Sequence, residues 1–199
     1  YAAWNRAIPL ARGIYLTNAN VDDRHHPQCL EVLAAAVDGG AQAAGAYADS
    51  DVTAMGNAPF AAAPRTRCLV WPDFEREALF ETCFLGPHPL WRKALHARHG
   101  LFDGSMRSAG DYEFWLRLAA AGERFVHIPR PLSLYLENPA SISLANLDLT
   151  WRESETARDR YWQAAWGVPP KCRRALPHFQ RLAQRLAALP AGRRVELYG

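Results

Sequence analysis

The sequence predicts an α/β fold in which a mostly parallel sheet is flanked by helices and followed by a C-terminal helical extension. A strand-like segment at 14–17 precedes a helical segment at 27–37, and a second strand-like segment follows at 43–48. This alternation favours a parallel sheet, because the helix returns the chain to the starting edge of the next strand. The 199 residues are 49% hydrophobic and 22% charged, which is typical of globular proteins.

Turn and capping residues predict where the early elements end. A short helix at 4–11 is expected to stop at Gly13, and Pro27 is well placed to open the next helix. Gly39 and its glycine neighbour would end that second helix. The second strand is expected to end at 49–51, since the Asp-Ser-Asp sequence there favours a turn.

The middle of the chain predicts a loop, two helices and a strand. Residues 55–72 are rich in Ala, Pro, Gly and Arg without a period, which is typical of a loop. Helices are expected at 90–99 and at about 111–121, where apolar residues recur at helical spacing. A short strand at 125–128 is expected to end before Pro129.

Two units are expected along the chain, a principal domain at 1–146 and a peripheral helical extension or linker at 147–199. Apolar residues at helical spacing across 176–189 indicate an amphipathic helix, for which packing on its own domain is favoured over a membrane surface. The apolar run at 195–199 resembles a strand entering a glycine-rich turn, so we expect a segment of a longer protein that enters a further domain.

Composition excludes several classes of partner and site. Lys and Arg outnumber Asp and Glu by only 23 to 20, so nucleic acid is not an expected partner. No apolar stretch reaches the ~18 residues of a membrane span, so membrane contact is expected to be at most peripheral. The four cysteines form no C-x-x-C pair, which favours a reducing, cytoplasmic location over a zinc or disulfide framework.

The first candidate site is Asn20-Val21-Asp22-Asp23, at the end of a predicted strand. Open α/β sheets bind ligands at this edge. Adjacent carboxylates in a turn can hold a Mg²⁺-like cation whose remaining ligands are substrate phosphates, which indicates a phosphorylated or nucleotide substrate. The alternative is that Asp23 merely caps the following helix.

The second candidate is Asp111, at the start of a predicted helix, where the backbone dipole favours an ionised carboxylate that can take a proton from an acceptor hydroxyl. The alternative is an ordinary first-turn acid, and Glu113 has the spacing for a pair with Arg117. Trp91 and Arg92 could stack on a sugar or contact phosphate, although a core tryptophan is the simpler interpretation.

The order of these motifs resembles glycosyltransferase family 2, whose members have the GT-A nucleotide-sugar fold. The resemblance covers about residues 1 to 143 and is carried by the segments 5–8, 11–16, 20–23, 47–49, 84–87, 91–92, 100–103, 108–117 and 125–135. No phosphate-loop, nucleophile-elbow or H-E-x-x-H motif supports another enzyme class.

The resemblance implies an inverting sugar transferase. Asp22 would bind a divalent cation, Mn²⁺ or Mg²⁺, on the diphosphate of a nucleotide-diphosphate sugar, with a UDP-sugar the first expectation. Asp111 would be the general base that activates a hydroxyl of a glycan, lipid or protein acceptor. The further substrate-binding residues expected are Asn20, Asp23, Trp91, Arg92 and Glu113.

The sequence also departs from the family pattern. Asn20 stands where the first acid of D-x-D is usual, and Leu136 and Asn138 replace an Arg and a His. The family's nucleotide-binding strands are expected before Tyr1. These departures keep open a catalytically silent GT-A-like binding or scaffolding module. A metal-dependent phosphotransferase or hydrolase is a third alternative, which the missing phosphate loop disfavours.

Overall fold

The computed structural model describes residues 1–40, 42–138, 141 and 145–170 of the chain. The helices are α1 Ala2–Leu10, α2 Cys29–Gly39, α3 Arg76–Glu81, α4 Ala94–His99, α5 Gly110–Ala120 and α6 Leu147–Trp166. The strands are β1 Tyr15–Thr17, β2 Arg24–His25, β3 Gly45–Thr53, β4 Arg67–Leu69, β5 Leu90–Arg92 and β6 Phe125–Leu136.

The described strands form one mixed sheet in the order β1-β5-β3-β6-β2, with β4 also beside β3. Only β3 and β6 pair in parallel among them, so the prediction of a mostly parallel sheet is wrong. The physical reason is β5, which lies between β1 and β3 and runs antiparallel to both. Strands β1, β3 and β6 still point the same way, so their carboxyl ends lie at one edge of the sheet.

Strand β3 does not end at 49–51 but continues to Thr53, because its polar side chains have partners. The carboxylate of Asp49 accepts the Trp71 amide and lies 2.9 Å from the His127 ring. The hydroxyl of Ser50 lies 2.8 Å from that of Ser133 on β6. A turn-forming sequence is therefore accommodated inside a strand by contacts that are distant in sequence.

Two other boundaries differ from expectation for similar reasons. The segment expected as one helix at 90–99 begins instead with β5, in which Trp91 pairs with Leu16, and α4 follows. Strand β6 continues through Pro129 and Pro131, where its register against β3 is irregular. Such irregularities tolerate residues that lack an N–H.

The sheet has a helix layer on each face. On one face α2 packs Cys29, Leu33 and Val37 against the sheet. On the other, α5 and α6 enclose a larger, aromatic-rich core that includes Trp162 of α6. Residues 147–166 thus pack onto this core rather than lying peripheral to it, whereas the features expected at 176–189 and 195–199 fall outside the described residues. Within the described chain, no helix is both long and apolar enough to cross a bilayer.

We expect Gly45→Ala to destabilise the protein by about 3 kcal/mol, as overpacking of a tight site does. An added Cβ would overlap the carbonyl oxygen of Leu90 and lie 2.7 Å from the Phe125 ring, so β5 and β6 would have to separate from β3. Urea unfolding measures the loss. Gly39→Ala is the matched control, because nothing lies within 4 Å of its added Cβ. Equal stability of the two variants would contradict the proposed close approach.

Candidate functional site

The turn that follows β1 is anchored by the buried carboxylate of Asp23, which is 5% exposed. Its Oδ1 accepts the backbone N–H of Leu136 at 2.8 Å, and its Oδ2 accepts the side-chain amide of Asn20 at 2.8 Å. The ring Nε2 of His88 lies 3.3 Å from the same Oδ2. Asp23 therefore joins the end of β1, the end of β6 and the segment before β5.

The electrostatics of Asp23 agree with an anchoring role. Burial by itself raises the pKa of Asp23, but the contacts with His88, the Leu136 amide and Asn20 outweigh burial and lower the pKa overall. The alternative role as a helix cap is not seen, since α2 begins at Cys29 without a side-chain cap. Both oxygens of Asp23 are thus engaged by the protein itself.

Asp22, the adjacent residue, is only partly buried and makes no hydrogen bond or ion pair with the described residues. No group of three His, Cys, Asp or Glu side chains suited to a metal ion occurs in the described part of the chain. The chain therefore offers one unengaged carboxylate at this turn. A single carboxylate can be one ligand of a Mg²⁺-like cation, whose other ligands would then have to come from a bound phosphate group and water.

His88 is a residue of this turn that sequence reasoning missed. It is 5% exposed, its ring packs edge-on against His25 at 4.6 Å, and its Nδ1 has no hydrogen-bond partner in the described chain. Burial and the neighbouring His88 lower the pKa of His25. A single histidine between two prolines carries no sequence signal for such a position.

Asp111 is the second residue of α5 and is partly buried. Its Oδ1 accepts the hydroxyl of Tyr1 at 2.9 Å and the backbone N–H of Tyr112 at 2.8 Å. Burial raises the pKa of Asp111, and the hydrogen bonds from Tyr112 and Tyr1 only partly oppose that rise. A carboxylate with a raised pKa and a fixed orientation is suited to accept a proton.

Tyr1 is the second residue of this region that the sequence did not indicate. Its hydroxyl lies 2.9 Å from Asp111 Oδ1 and 3.1 Å from the carbonyl oxygen of Ser108. Its ring covers Gly110, where an added Cβ would lie 2.6 Å from the ring. Gly110 therefore leaves the space that lets Tyr1 reach Asp111, and burial together with Asp111 raises the Tyr1 pKa.

Glu113, expected to contact substrate, lies in the first turn of α5 and is 1% exposed. Its carboxylate pairs with Arg117 on α5 and with Arg160 on α6, and it accepts the hydroxyl of Tyr161. These contacts place Glu113 in the interface between α5 and α6.

Trp91 and Arg92 point to opposite faces of β5. Trp91 is 3% exposed and donates its Nε1–H to His96. It also lines an apolar cavity of about 240 Å³ between α1 and β1 that reaches Asn18 at the start of the turn. Arg92 donates to the carbonyl oxygens of Val37 and Ala43 on the other face.

The structure thus brings Asn20 and Asp23 into direct contact, with Asp22 between them in sequence. It does not join all the expected residues, since no hydrogen bond or ion pair among the described residues links Asp111 to that turn. Of the two carboxylates predicted to act on a ligand, Asp22 is not engaged by the described residues and Asp111 is oriented by Tyr1 and Tyr112.

We expect the two adjacent aspartates to differ in their effect on stability. Asp23→Asn removes a charge that three partners satisfy and should lower the free energy of unfolding by about 1–3 kcal/mol. Because the folded pKa of Asp23 is lowered, its stabilisation is present above the unfolded-state pKa and is lost as pH falls through the folded pKa. Urea unfolding at neutral and acid pH tests this, with Asp22→Asn, expected to change stability by less than about 0.5 kcal/mol, as control.

We expect Tyr1→Phe to raise the pKa of Asp111 further, because it removes a hydrogen bond that lowers it. The ¹³C signal of the Asp111 carboxyl group, followed by NMR across pH, measures the change. Tyr112→Phe is the control, since its hydroxyl donates to the Leu79 carbonyl and not to Asp111. An unchanged titration in Tyr1→Phe would contradict the hydrogen bond.

Comparison with known proteins gives one relative by sequence. No protein-family model matches the chain. Uncharacterized protein y4gI of Sinorhizobium fredii is 28% identical over 148 residues, which are 72% of this chain and 15% of that protein. The match therefore concerns a small part of a much longer protein.

Solved structures share the fold. S. aureus TarS 1-349 in complex with UDP has a TM-score of 0.54 at 15% identity, covering 94% of this chain and 54% of that one. The same TarS segment in complex with UDP-GlcNAc has a TM-score of 0.51 at 14% identity, covering 94% and 60%. The chain thus spans little more than half of these structures, and the likeness shows that it shares a fold with that part of TarS.

Proposed function

We propose that this chain is part of a glycosyltransferase that moves a sugar from a nucleotide-diphosphate sugar, a UDP-sugar, to an acceptor hydroxyl with inversion at the anomeric carbon. The observation that carries the proposal is the state of Asp111, a partly buried carboxylate with a raised pKa and an orientation held by Tyr1 and Tyr112. The fold shared with TarS, which has been solved with UDP and UDP-GlcNAc, supports the choice of donor.

In the proposed reaction Asp111 acts as the general base. The acceptor oxygen attacks the anomeric carbon as the bond from that carbon to the donor phosphate breaks. The proton of the acceptor hydroxyl passes to Asp111, and the electron pair of the broken bond leaves with the nucleoside diphosphate. A base whose pKa is raised toward the working pH is effective in this transfer.

Asp22 is the proposed ligand for a divalent cation, Mn²⁺ or Mg²⁺, that would neutralise charge on the leaving diphosphate. Asp23 and Asn20 hold the turn that presents Asp22, through the hydrogen bond between them. The proposed acceptor is a hydroxyl group of a glycan, a lipid or a protein.

A second candidate is a GT-A-like module that binds without catalysis. Asn20 favours this module, since its side-chain amide donates a hydrogen bond to Asp23 and adds no negative charge to the turn. The two proposals differ in the role of Asp111, because a module that binds without catalysis does not require a general base.

We expect the protein to bind UDP in a Mn²⁺-dependent manner, and Asp22→Asn to weaken that binding at least tenfold by removing the cation ligand. Isothermal titration with UDP, with and without Mn²⁺, measures this. Asp148→Asn, which removes an exposed carboxylate at the start of α6, should leave binding unchanged. Metal-independent binding that Asp22→Asn leaves intact would contradict the cation site.

We expect Asp111→Asn to lower sugar transfer by roughly 10²–10⁴-fold, the usual contribution of a general base, while UDP binding persists. Mass analysis of the acceptor after incubation with UDP-sugars measures transfer. Transfer that is independent of Asp111 would refute its role as base. Binding of UDP without transfer by the unsubstituted protein would favour the silent module.

A further inference from the structure

The carboxylate of Glu153, on α6, accepts three backbone hydrogen bonds from the turn that precedes α5. Its Oε1 accepts the N–H of Arg107 at 2.9 Å, and its Oε2 accepts those of Ser108 at 2.8 Å and Ala109 at 2.9 Å. Burial by itself raises the pKa of Glu153, but the three amides outweigh burial and lower the pKa overall. All three bonds therefore end on an ionised acceptor and are charge-assisted.

The start of α5 has no capping side chain of its own. The residue before the helix is Ala109, and its side chain makes no capping hydrogen bond. Glu153 therefore supplies, from a different helix, the acceptors that satisfy this turn. The hydroxyl of Thr150 on α6 adds a contact of 2.6 Å with that of Ser108.

The same turn leads directly to Asp111. The Ser108 carbonyl oxygen lies 3.1 Å from the Tyr1 hydroxyl, which lies 2.9 Å from Asp111 Oδ1. A displacement of the turn 107–109 would therefore shift the start of α5, of which Asp111 is the second residue. Glu153 thus acts on Asp111 through the backbone of this turn.

We propose that Glu153 is a positioning residue for Asp111, holding the turn 107–109 that leads into α5 and so fixing the backbone from which the Asp111 carboxylate extends. The inference rests on the proposed function, in which Asp111 is the general base. Misplacement of a catalytic group by about 1 Å can cost roughly 10²-fold in rate. Loss of Glu153 should therefore act on the chemical step and spare the binding of donor.

The test compares Glu153→Gln with Glu155→Gln in the full chain. Both remove one carboxylate from the same helix, but Glu155 forms an ion pair with Arg158 on α6 itself. We expect Glu153→Gln to lower kcat at least tenfold with the donor KM within twofold, and to change the pKa of Asp111, which ¹³C NMR follows. Glu155→Gln should change neither quantity.

A double variant separates the effect of Glu153 from that of Tyr1. Glu153→Gln should change the Asp111 pKa to the same extent with and without Tyr1→Phe, because Glu153 acts through the backbone of the turn and Tyr1 through its own hydroxyl. An unchanged Asp111 pKa in Glu153→Gln, a change that is lost in the Tyr1→Phe background, or an equal change in Glu155→Gln would overturn the proposal. If Glu153→Gln fails to fold, Glu153→Asp takes its place, since it keeps the charge but cannot reach all three amides.

The two proposals can fail separately. If the unsubstituted protein transfers no sugar but Glu153→Gln changes the Asp111 pKa, the glycosyltransferase proposal falls and the positioning contact is supported. If transfer occurs and depends on Asp111 while Glu153→Gln leaves both kcat and the Asp111 pKa unchanged, the positioning proposal falls alone.

Discussion

The buried charge of Glu113 requires partners within the protein, and the candidate site depends on the helix that supplies most of them. A buried carboxylate is costly unless it is paired and hydrogen-bonded. Glu113 is 1% exposed, and of its three partners Arg160 and Tyr161 belong to α6. Helix α5 therefore reaches its observed environment only with α6 docked against it. The same docking brings Glu153 to the turn before Asp111.

Local patterns in the sequence predicted the helices α2 and α5 closely, because apolar spacing and glycine stops lie within the elements themselves. They failed for β5 and for the second half of β3, where structure depends on partners far along the chain. Asp49 is an example, since its partner His127 is 78 residues away. Turn-forming residues inside a strand cannot be distinguished from a turn until such partners are known. The mixed strand directions were missed for the same reason, because β5 pairs with β1 and β3, which are distant in sequence.

The residues of the candidate site could be named from the sequence, but the different contacts that each of them makes could not. Two aspartates at a strand end indicated a ligand site, yet nothing local distinguishes Asp22 from Asp23. The distinction comes from the Leu136 amide, 113 residues away, which engages Asp23 and leaves its neighbour unengaged. Asp111 could be chosen from its position at a helix start, whereas its contact with Tyr1 spans 110 residues and has no local signal. Long-range hydrogen bonds thus distinguish carboxylates that residue type and local sequence leave equivalent.

The irregular stretch of β6 has a consequence for association between molecules. On the side away from β3, β2 pairs with Ser133 and Leu134 and the following His26 donates its N–H to Leu132, so β6 before Leu132 is a sheet edge with no strand beside it among the described residues. Such edges are templates for pairing with strands of other chains. Proline nitrogens are tolerated in strands where they face such an edge. Pro129 and Pro131 would then deprive an incoming strand of two donors, and exposed Arg130 between them adds charge that opposes aggregation.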